Sequence, residues 1–287
     1  MRVLCRLRSC IIGKVCLRFE RFALRVVELE RVPNVRDLGG IAARGGRVVK
    51  PGLLFRGSAL SDATEHDNDV LFGDLGIACV IDLRCGWELE AKPDRIPDGV
   101  EYLHIPFYDL EKVGIEYTES SEGTKIVGRD VACEPSHFYR SLSNRLTTAQ
   151  MGQALDEAFA HTTAGRPVYI HCSGGKDRAG IMSLLVLEVL GATREDILDD
   201  YLCTNVSRDA RYDEMFARFL RLSDGDEQRA HELVVSHRAL PENIAAFYDA
   251  IDVEYGSWDA FMGNTLNMTK DRIDLLRDSL TEPIDCA

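Results

Sequence analysis

The apolar spacing divides the chain into two parts. From residue 48 to 191 short apolar runs alternate with longer amphipathic stretches, and beyond 192 nearly every segment has helical spacing. Val48 to Phe55 predicts a short hairpin or edge region, with Gly45-Gly46 and Pro51-Gly52 as turns. Residues 62–75 have the period of a helix that ends at Gly76. Ala78 to Leu83 and residues 102–107 are compact strand-like runs. The polar, glycine-dotted stretch 112–132 predicts a mobile loop. Thr147 and Gln150 have the spacing of a capping box that opens a helix to about His161. Val168 to His171 predicts the central strand. Arg178 to Leu190, apolar on nearly every face, predicts a core helix that Gly191 stops. Strands alternating with helices imply an α/β fold whose mostly parallel central sheet is flanked by helices. The C-terminal part predicts helices over 194–203, 208–222, 225–237, 241–253, 257–262 and 269–280.

The candidate chemistry lies where the central strand meets the core helix, in His171-Cys172-Ser173-Gly174-Gly175-Lys176-Asp177-Arg178-Ala179-Gly180. A tight glycine-bearing loop at this junction points several backbone N–H groups and the positive end of a helix at one spot beside a thiol. That suits a phosphate-sized dianion. Thiols at helix N-termini beside cations ionise at pKa values of roughly 3.5–7.5, which makes Cys172 a candidate nucleophile. Ser173, Gly174, Gly175, Ala179 and Gly180 belong to the phosphate-binding turn, where glycine lets the backbone approach the anion. Arg178 offers a planar fork for two phosphate oxygens, and Lys176 a point charge at the rim. His171 is placed to orient the loop through a backbone hydrogen bond. A Cys-x5-Arg spacing by itself occurs by chance, and a cysteine at a strand end is most often simply buried. The coincidence with two glycines, a strand and a buried helix gives this one its weight.

The loop resembles the Cys-x5-Arg signature of the protein tyrosine phosphatase superfamily. Its His-Cys-x-x-Gly-Lys-Asp-Arg form is similar to that of the atypical bacterial tyrosine and phosphoinositide phosphatases. Asn34-Val35-Arg36-Asp37-Leu38-Gly39-Gly40, Leu54-Phe55-Arg56-Gly57-Ser58, Ile81-Asp82-Leu83-Arg84 with Glu88, Asp200-Tyr201-Leu202 and Tyr255-Gly256-Ser257 follow in that family's order. The resemblance implies a cysteine-loop phosphatase fold over residues 31–287 and hydrolysis of phosphotyrosine proteins or phosphoinositides through a phosphocysteine. It also implies Asp177 as general acid and a helical lid over 208–239. The family usually carries Thr or Ser after the loop arginine, where this chain has Ala179. The missing hydroxyl would hydrogen-bond the sulfur, so the expectation is a slowed enzyme that accumulates phosphocysteine. Two other readings compete: a rhodanese-like sulfurtransferase, and a phosphate-binding module without catalysis.

The leaving oxygen needs a proton donor. After Asp177 the candidates are Asp109, which follows the 102–107 strand, and Asp82, at a strand's C-terminal end where an open α/β sheet presents its site. The alternatives are a salt bridge from Asp82 to Arg84 or Arg36, and a helix cap or solvated loop at Asp109. Arg36, Asp37 and Arg56 either line the pocket or lock the N-terminal segment to the core.

Composition adds limits. The net charge of −13 over 287 residues argues against non-specific nucleic-acid binding and a broadly basic membrane-docking face. No apolar run approaches transmembrane length. The nine cysteines are scattered, with no Cys-x-x-Cys pair, and the histidines lack metal-ligand spacing. Neither a metal nor a cofactor is expected, and a thiolate nucleophile favours the reducing cytoplasm. Residues 1–26 carry seven Lys/Arg against one acid. They form most of a basic extension, residues 1–30, expected to pack loosely.

Overall fold

The structure, a computed structural model, describes residues 25–107, 117–118, 125–126 and 135–284. Side chains alternate across a β-strand, and here both faces of the central strands are apolar. Leu54, Cys79, Ile81, Val168 and Ile170 enter one core, and Phe55, Val80 and Tyr169 enter another on the opposite face. A sheet buried on both faces is the parallel kind. The central sheet has the order β1 (Arg36–Asp37), β4 (Leu54–Gly57), β9 (Val168–His171), β5 (Cys79–Asp82), β6 (Glu101–His104). Strands β4, β9, β5 and β6 run parallel, and β1 pairs antiparallel to β4 at the edge. An antiparallel sheet of β2 (Ala42–Ala43), β3 (Arg47–Val49) and β10 (Thr281–Pro283) lies apart from it, and β7 (Tyr117–Thr118) pairs with β8 (Lys125–Ile126).

The helices are α1 (Glu65–Asn68), continued by a π-helical turn over Asp69–Asp74, α2 (Gly86–Ala91), α3 (Pro135–Ser141), α4 (Arg145–Thr163) and α5 (Asp177–Leu190). There follow α6 (Arg194–Ser207), α7 (Asp209–Leu222), α8 (Glu227–Ser236), α9 (Pro241–Tyr255), α10 (Trp258–Ala260) with a π-turn over Phe261–Thr265, and α11 (Lys270–Leu280). Helix α5 is the core helix expected: from Ala179 to Leu190 only Glu188 escapes full burial, and Gly191 ends it at φ 88°. Met151, Leu155 and Ala158 of α4 share its core. Among the described residues no helix is long and apolar enough to cross a membrane.

Several expectations need correction. The region from Val48 to Phe55 is not a hairpin: β3 and β4 enter different sheets, and β4 is an interior strand buried at all four positions. Helix α4 begins earlier than Thr147. Asn144 is its cap and accepts the Thr147 amide at 3.0 Å, so Thr147 is already inside the first turn. The C-terminal part is not wholly helical, because Thr281 to Pro283 pair with Val49 to Arg47. Residues 25–30, assigned to the loose extension, are tied down: Val27 donates to the Val35 carbonyl at 3.0 Å, and the Glu30 amide to Asp67 at 2.6 Å.

Gly57 shows how closely β4 and β9 approach. A Cβ there would lie 2.1 Å from the Tyr169 hydroxyl, which itself donates to the Ser58 carbonyl at 2.7 Å. Gly57→Ala is expected to cost about 2–3 kcal/mol through overpacking, read as a lower urea midpoint. Adding Tyr169→Phe, which removes the clashing oxygen, recovers part of the loss.

Candidate active site

The parallel strands β4, β9 and β5 end together, and their C-terminal ends carry the loop Cys172–Asp177, the Gly57-Ser58 turn and the Arg84–Glu88 segment. Gly175 has φ 64°, and a Cβ on it would meet the Gly57 carbonyl carbon at 2.4 Å. Only glycine fits there. The loop is held by its carbonyls. Asn34 Nδ2 donates to the Gly174 and Gly175 oxygens at 3.2 and 2.9 Å, and Arg56 Nη2 donates to those of Gly175 and Lys176 at 2.8 and 3.3 Å. In a trans peptide the next N–H points opposite its carbonyl. Anchoring these three carbonyls on one side therefore turns the amides of Gly175, Lys176 and Asp177 to the other, as an anion cradle requires. Cys172 lies at the cradle's start, 2% exposed and not in a disulfide.

Arg36 and Arg56 are locks, not pocket walls. Both are fully or almost fully buried and converge on Asp200 of α6: Arg36 Nε reaches Oδ1 at 3.0 Å, Arg56 Nη1 reaches Oδ2 at 2.8 Å, and Arg25 adds a contact at 3.1 Å. Burial opposes ionisation of Asp200, but Arg36, Arg56 and Arg25 outweigh it and hold its pKa far below the carboxylate range. Burial and the neighbouring Arg36 charge push Arg56 down to about 10. Asp37 is also structural. It accepts the Gly39 and Gly52 amides at 2.7 and 2.6 Å, and burial raises its pKa.

Arg178 is clamped from α2. Both of its terminal nitrogens bond the Glu88 carboxylate, Nη2 at 2.8 Å, and the Ser173 hydroxyl donates to the same carboxylate. The guanidinium is thereby fixed in orientation, and its terminal nitrogens also reach Cys85 Sγ at 3.8 Å and the Ser173 hydroxyl at 3.3 Å. Burial resists the Glu88 charge, but the Arg178 bonds and charge hold its pKa at about 2. Asp177, next to Arg178, keeps a side chain 34% exposed. It accepts the Tyr139 hydroxyl at 2.5 Å; Tyr139 lies 2.5 Å from the Tyr201 hydroxyl, which accepts Asn243 Nδ2 at 3.0 Å. Lys176 is not at the rim. It is 7% exposed, and its ammonium donates to the His237 and Arg238 carbonyls at 2.8 and 3.4 Å, at the end of the α7–α8 hairpin.

Asp82 is excluded as a proton donor by its surroundings. It is fully buried, bonded by Arg84 Nε and Nη2 and by the Tyr102 hydroxyl at 2.6 Å. Burial is outweighed by His171 and Arg84, so its pKa lies far below the usual range. Ligand atoms of Asp82, Asp94 and His171 fall within 4.8 Å of one another, but Arg84, bonded to both carboxylates, already fills the place of a cation. His171 Nε2 lies 3.1 Å from Asp94, so the histidine is part of this strut beneath the loop. Asp109 lies outside the described residues.

The sequence profile of the tyrosine phosphatase family matches residues 27–282. The chain belongs to that family. It is 32% identical over 275 residues to the triple specificity protein phosphatase PtpB of Mycobacterium tuberculosis, covering 83% of this chain and 93% of PtpB. It is 26% identical over 151 residues to a tyrosine-protein phosphatase of Nostoc commune, covering 51% of this chain and 46% of that one. Among solved structures, the catalytic core of the yeast PP-IP phosphatase SIW14 matches at 14% identity and a TM-score of 0.34, over 69% of this chain and 98% of that one. At that similarity it carries no argument.

In this tyrosine phosphatase the sequence reading missed three groups. Glu88 sits among the family landmarks without a role, although a lone acid two turns from a strand end offers little signal. Tyr139 and Arg208 approach the loop from distant segments and have no sequence signal at all. Arg208 lies against Gly174 and lines a cleft of ≈ 810 Å³ whose floor includes Ser173, Gly174 and Glu88.

Two stability outcomes follow from these charges. Asp200→Ala strands Arg36 and Arg56 as buried charges and is expected to cost about 3–5 kcal/mol in denaturant unfolding. Glu88, depressed from 4.5 to about 2, contributes stability that is complete above pH 4.5 and is lost as pH falls towards 2. Unfolding midpoints measured between pH 7 and 2 should decline over that window, and less steeply in Glu88→Gln.

Proposed function

We propose that the chain hydrolyses phosphomonoesters, phosphotyrosine in proteins first among them, through a phosphocysteine intermediate. The observation that carries this reading is the juxtaposition of one thiol, a cradle of inward amides, an arginine fixed by Glu88 and an exposed carboxylate, all within seven residues of chain. Cys172 as thiolate attacks phosphorus, and Arg178 and the amides hold the equatorial oxygens as their charge grows. The ester P–O bond breaks while Asp177 delivers its proton to the leaving oxygen. Asp177, now a carboxylate, takes a proton from water. The water oxygen attacks phosphorus, the P–S bond breaks, and the thiolate and phosphate are released.

The Tyr139 hydroxyl fits both halves of this cycle. It donates to the Asp177 carboxylate and can accept from the protonated acid, so the group keeps one orientation throughout. The α7–α8 hairpin, tied to the loop through Lys176, serves as a cap that narrows access. With its ammonium held by the His237 and Arg238 carbonyls, Lys176 gives no reason to prefer lipid headgroups. Ala179 places only a methyl group, fully buried in the core, where a hydroxyl would support the sulfur.

The test is hydrolysis of para-nitrophenyl phosphate in EDTA and reductant. Cys172→Ser is expected to abolish turnover; retained activity in that variant overturns the phosphocysteine mechanism. Ala179→Thr should raise turnover about ten- to a hundredfold, the worth of one hydrogen bond to a charged group. Asp177→Asn should lower it about 10²–10⁴-fold.

A further inference from the structure

The cleft beside the cradle is lined by charges of both signs, with Glu30, Asp62, Glu88 and Glu214 facing it as well as Arg31, Arg208 and Arg211. Among the described residues no ion pair ties any of these last three arginines to a carboxylate. Arg208 stands apart from the other two by its position. It sits at the break between α6 and α7, where the backbone turns at φ −117° and ψ 14°. Its guanidinium rests on the cradle: a Cβ on Gly174 would lie 2.8 Å from Nη1, 3.3 Å from Cζ and 3.4 Å from Nη2. Its Nε is buried and has no hydrogen-bond partner. The Tyr212 ring, 6.0 Å from Cζ, flanks it.

A half-buried guanidinium without a carboxylate is costly unless an anion arrives to pair with it. The charged and titratable groups around it are Arg211, Tyr212, Asp177 and Cys172. Burial and Arg211 lower its pKa, while the other three act to raise it. It remains a cation at neutral pH. Arg178, by contrast, already has its terminal nitrogens on Glu88.

We propose that Arg208 is a second phosphate-binding arginine, holding the oxyanion on the cradle together with Arg178. Its planar fork supplies charge-assisted hydrogen bonds to the oxyanion beside those of the loop. The ligand is a tetrahedral oxyanion of phosphate size, whether the phosphoryl group of a substrate or the released phosphate. The proposal rests on the cradle being the phosphate site, but it does not require turnover.

The experiment is calorimetric titration of the full chain with tungstate, in EDTA and reductant, accompanied by KM and kcat for para-nitrophenyl phosphate. Arg208→Gln is expected to weaken tungstate binding about ten- to a hundredfold, with KM rising in step. Arg208→Lys, which keeps the charge and loses the fork, should fall between the two. Arg211→Gln, at the exposed rim, should stay within about twofold. Equal tungstate affinity in wild type and Arg208→Gln overturns the proposal, and so does a wild type that binds no tungstate. If Arg208→Gln does not fold, Arg208→Lys decides: wild-type affinity in that variant overturns the fork. A wild type that binds tungstate but hydrolyses nothing defeats the phosphatase mechanism alone, and the tungstate comparison still judges Arg208.

Discussion

The buried carboxylate of Asp200, which receives Arg25, Arg36 and Arg56, is the contact from which the loop geometry descends. Removing a guanidinium from water is costly, and one carboxylate accepts a hydrogen bond from each of the three cations. It does not cancel their charge. Three positive groups against one negative leave the underside of the cradle cationic, and the pKa of Arg56 is lowered by its burial first and by the Arg36 charge second. The same Arg56 pulls the Gly175 and Lys176 carbonyls to its side. One cluster therefore both turns the amides toward an anion and places positive charge behind them. Because β1, β4 and α6 each supply members, the cradle forms only when the N-terminal segment, the sheet and α6 have come together.

Two arginines beside the loop are treated in opposite ways. Arg178 is oriented by a carboxylate on α2, a bond pattern that fixes direction at the cost of some charge. Arg208 has no carboxylate partner among the described residues and is positioned by a helix break and an aromatic ring. A paired cation gives precise geometry, and an unpaired one gives stronger attraction over distance.

The hydrogen-bond chain from Asn243 through Tyr201 and Tyr139 to Asp177 has one direction while Asp177 is a carboxylate. An amide can only donate from its nitrogen, so Tyr201 accepts there and passes its own proton to Tyr139, which passes its own to the carboxylate. The polarity of the chain thus couples the protonation of Asp177 to residues on α3, α6 and α9.

The loop was legible in the sequence because its chemistry is local. Cys172, Gly175, Asp177 and Arg178 lie within one turn of a strand–helix junction, and the strand and helix around it follow from apolar runs whose burial the structure repeats. Helix α5 and its stop at Gly191 were readable for the same reason, since a positive φ favours glycine regardless of context. The helix start at Asn144 and the strand at Thr281 were not. Both depend on which competing local option the fold selects, and a three-residue strand has no periodicity to detect. Whether Asp82 donates a proton or supports a strut, whether Lys176 faces substrate or a hairpin carbonyl, and whether Arg36 and Arg56 line or lock were settled by tertiary structure alone. The role of a charged side chain depends on the groups facing it, and those come from segments up to 175 residues apart, as with Arg25 and Asp200. Local spacing determined the cysteine loop at the strand–helix junction; the long-range pairing of charges decided which of the surrounding cations and acids are tied into the fold.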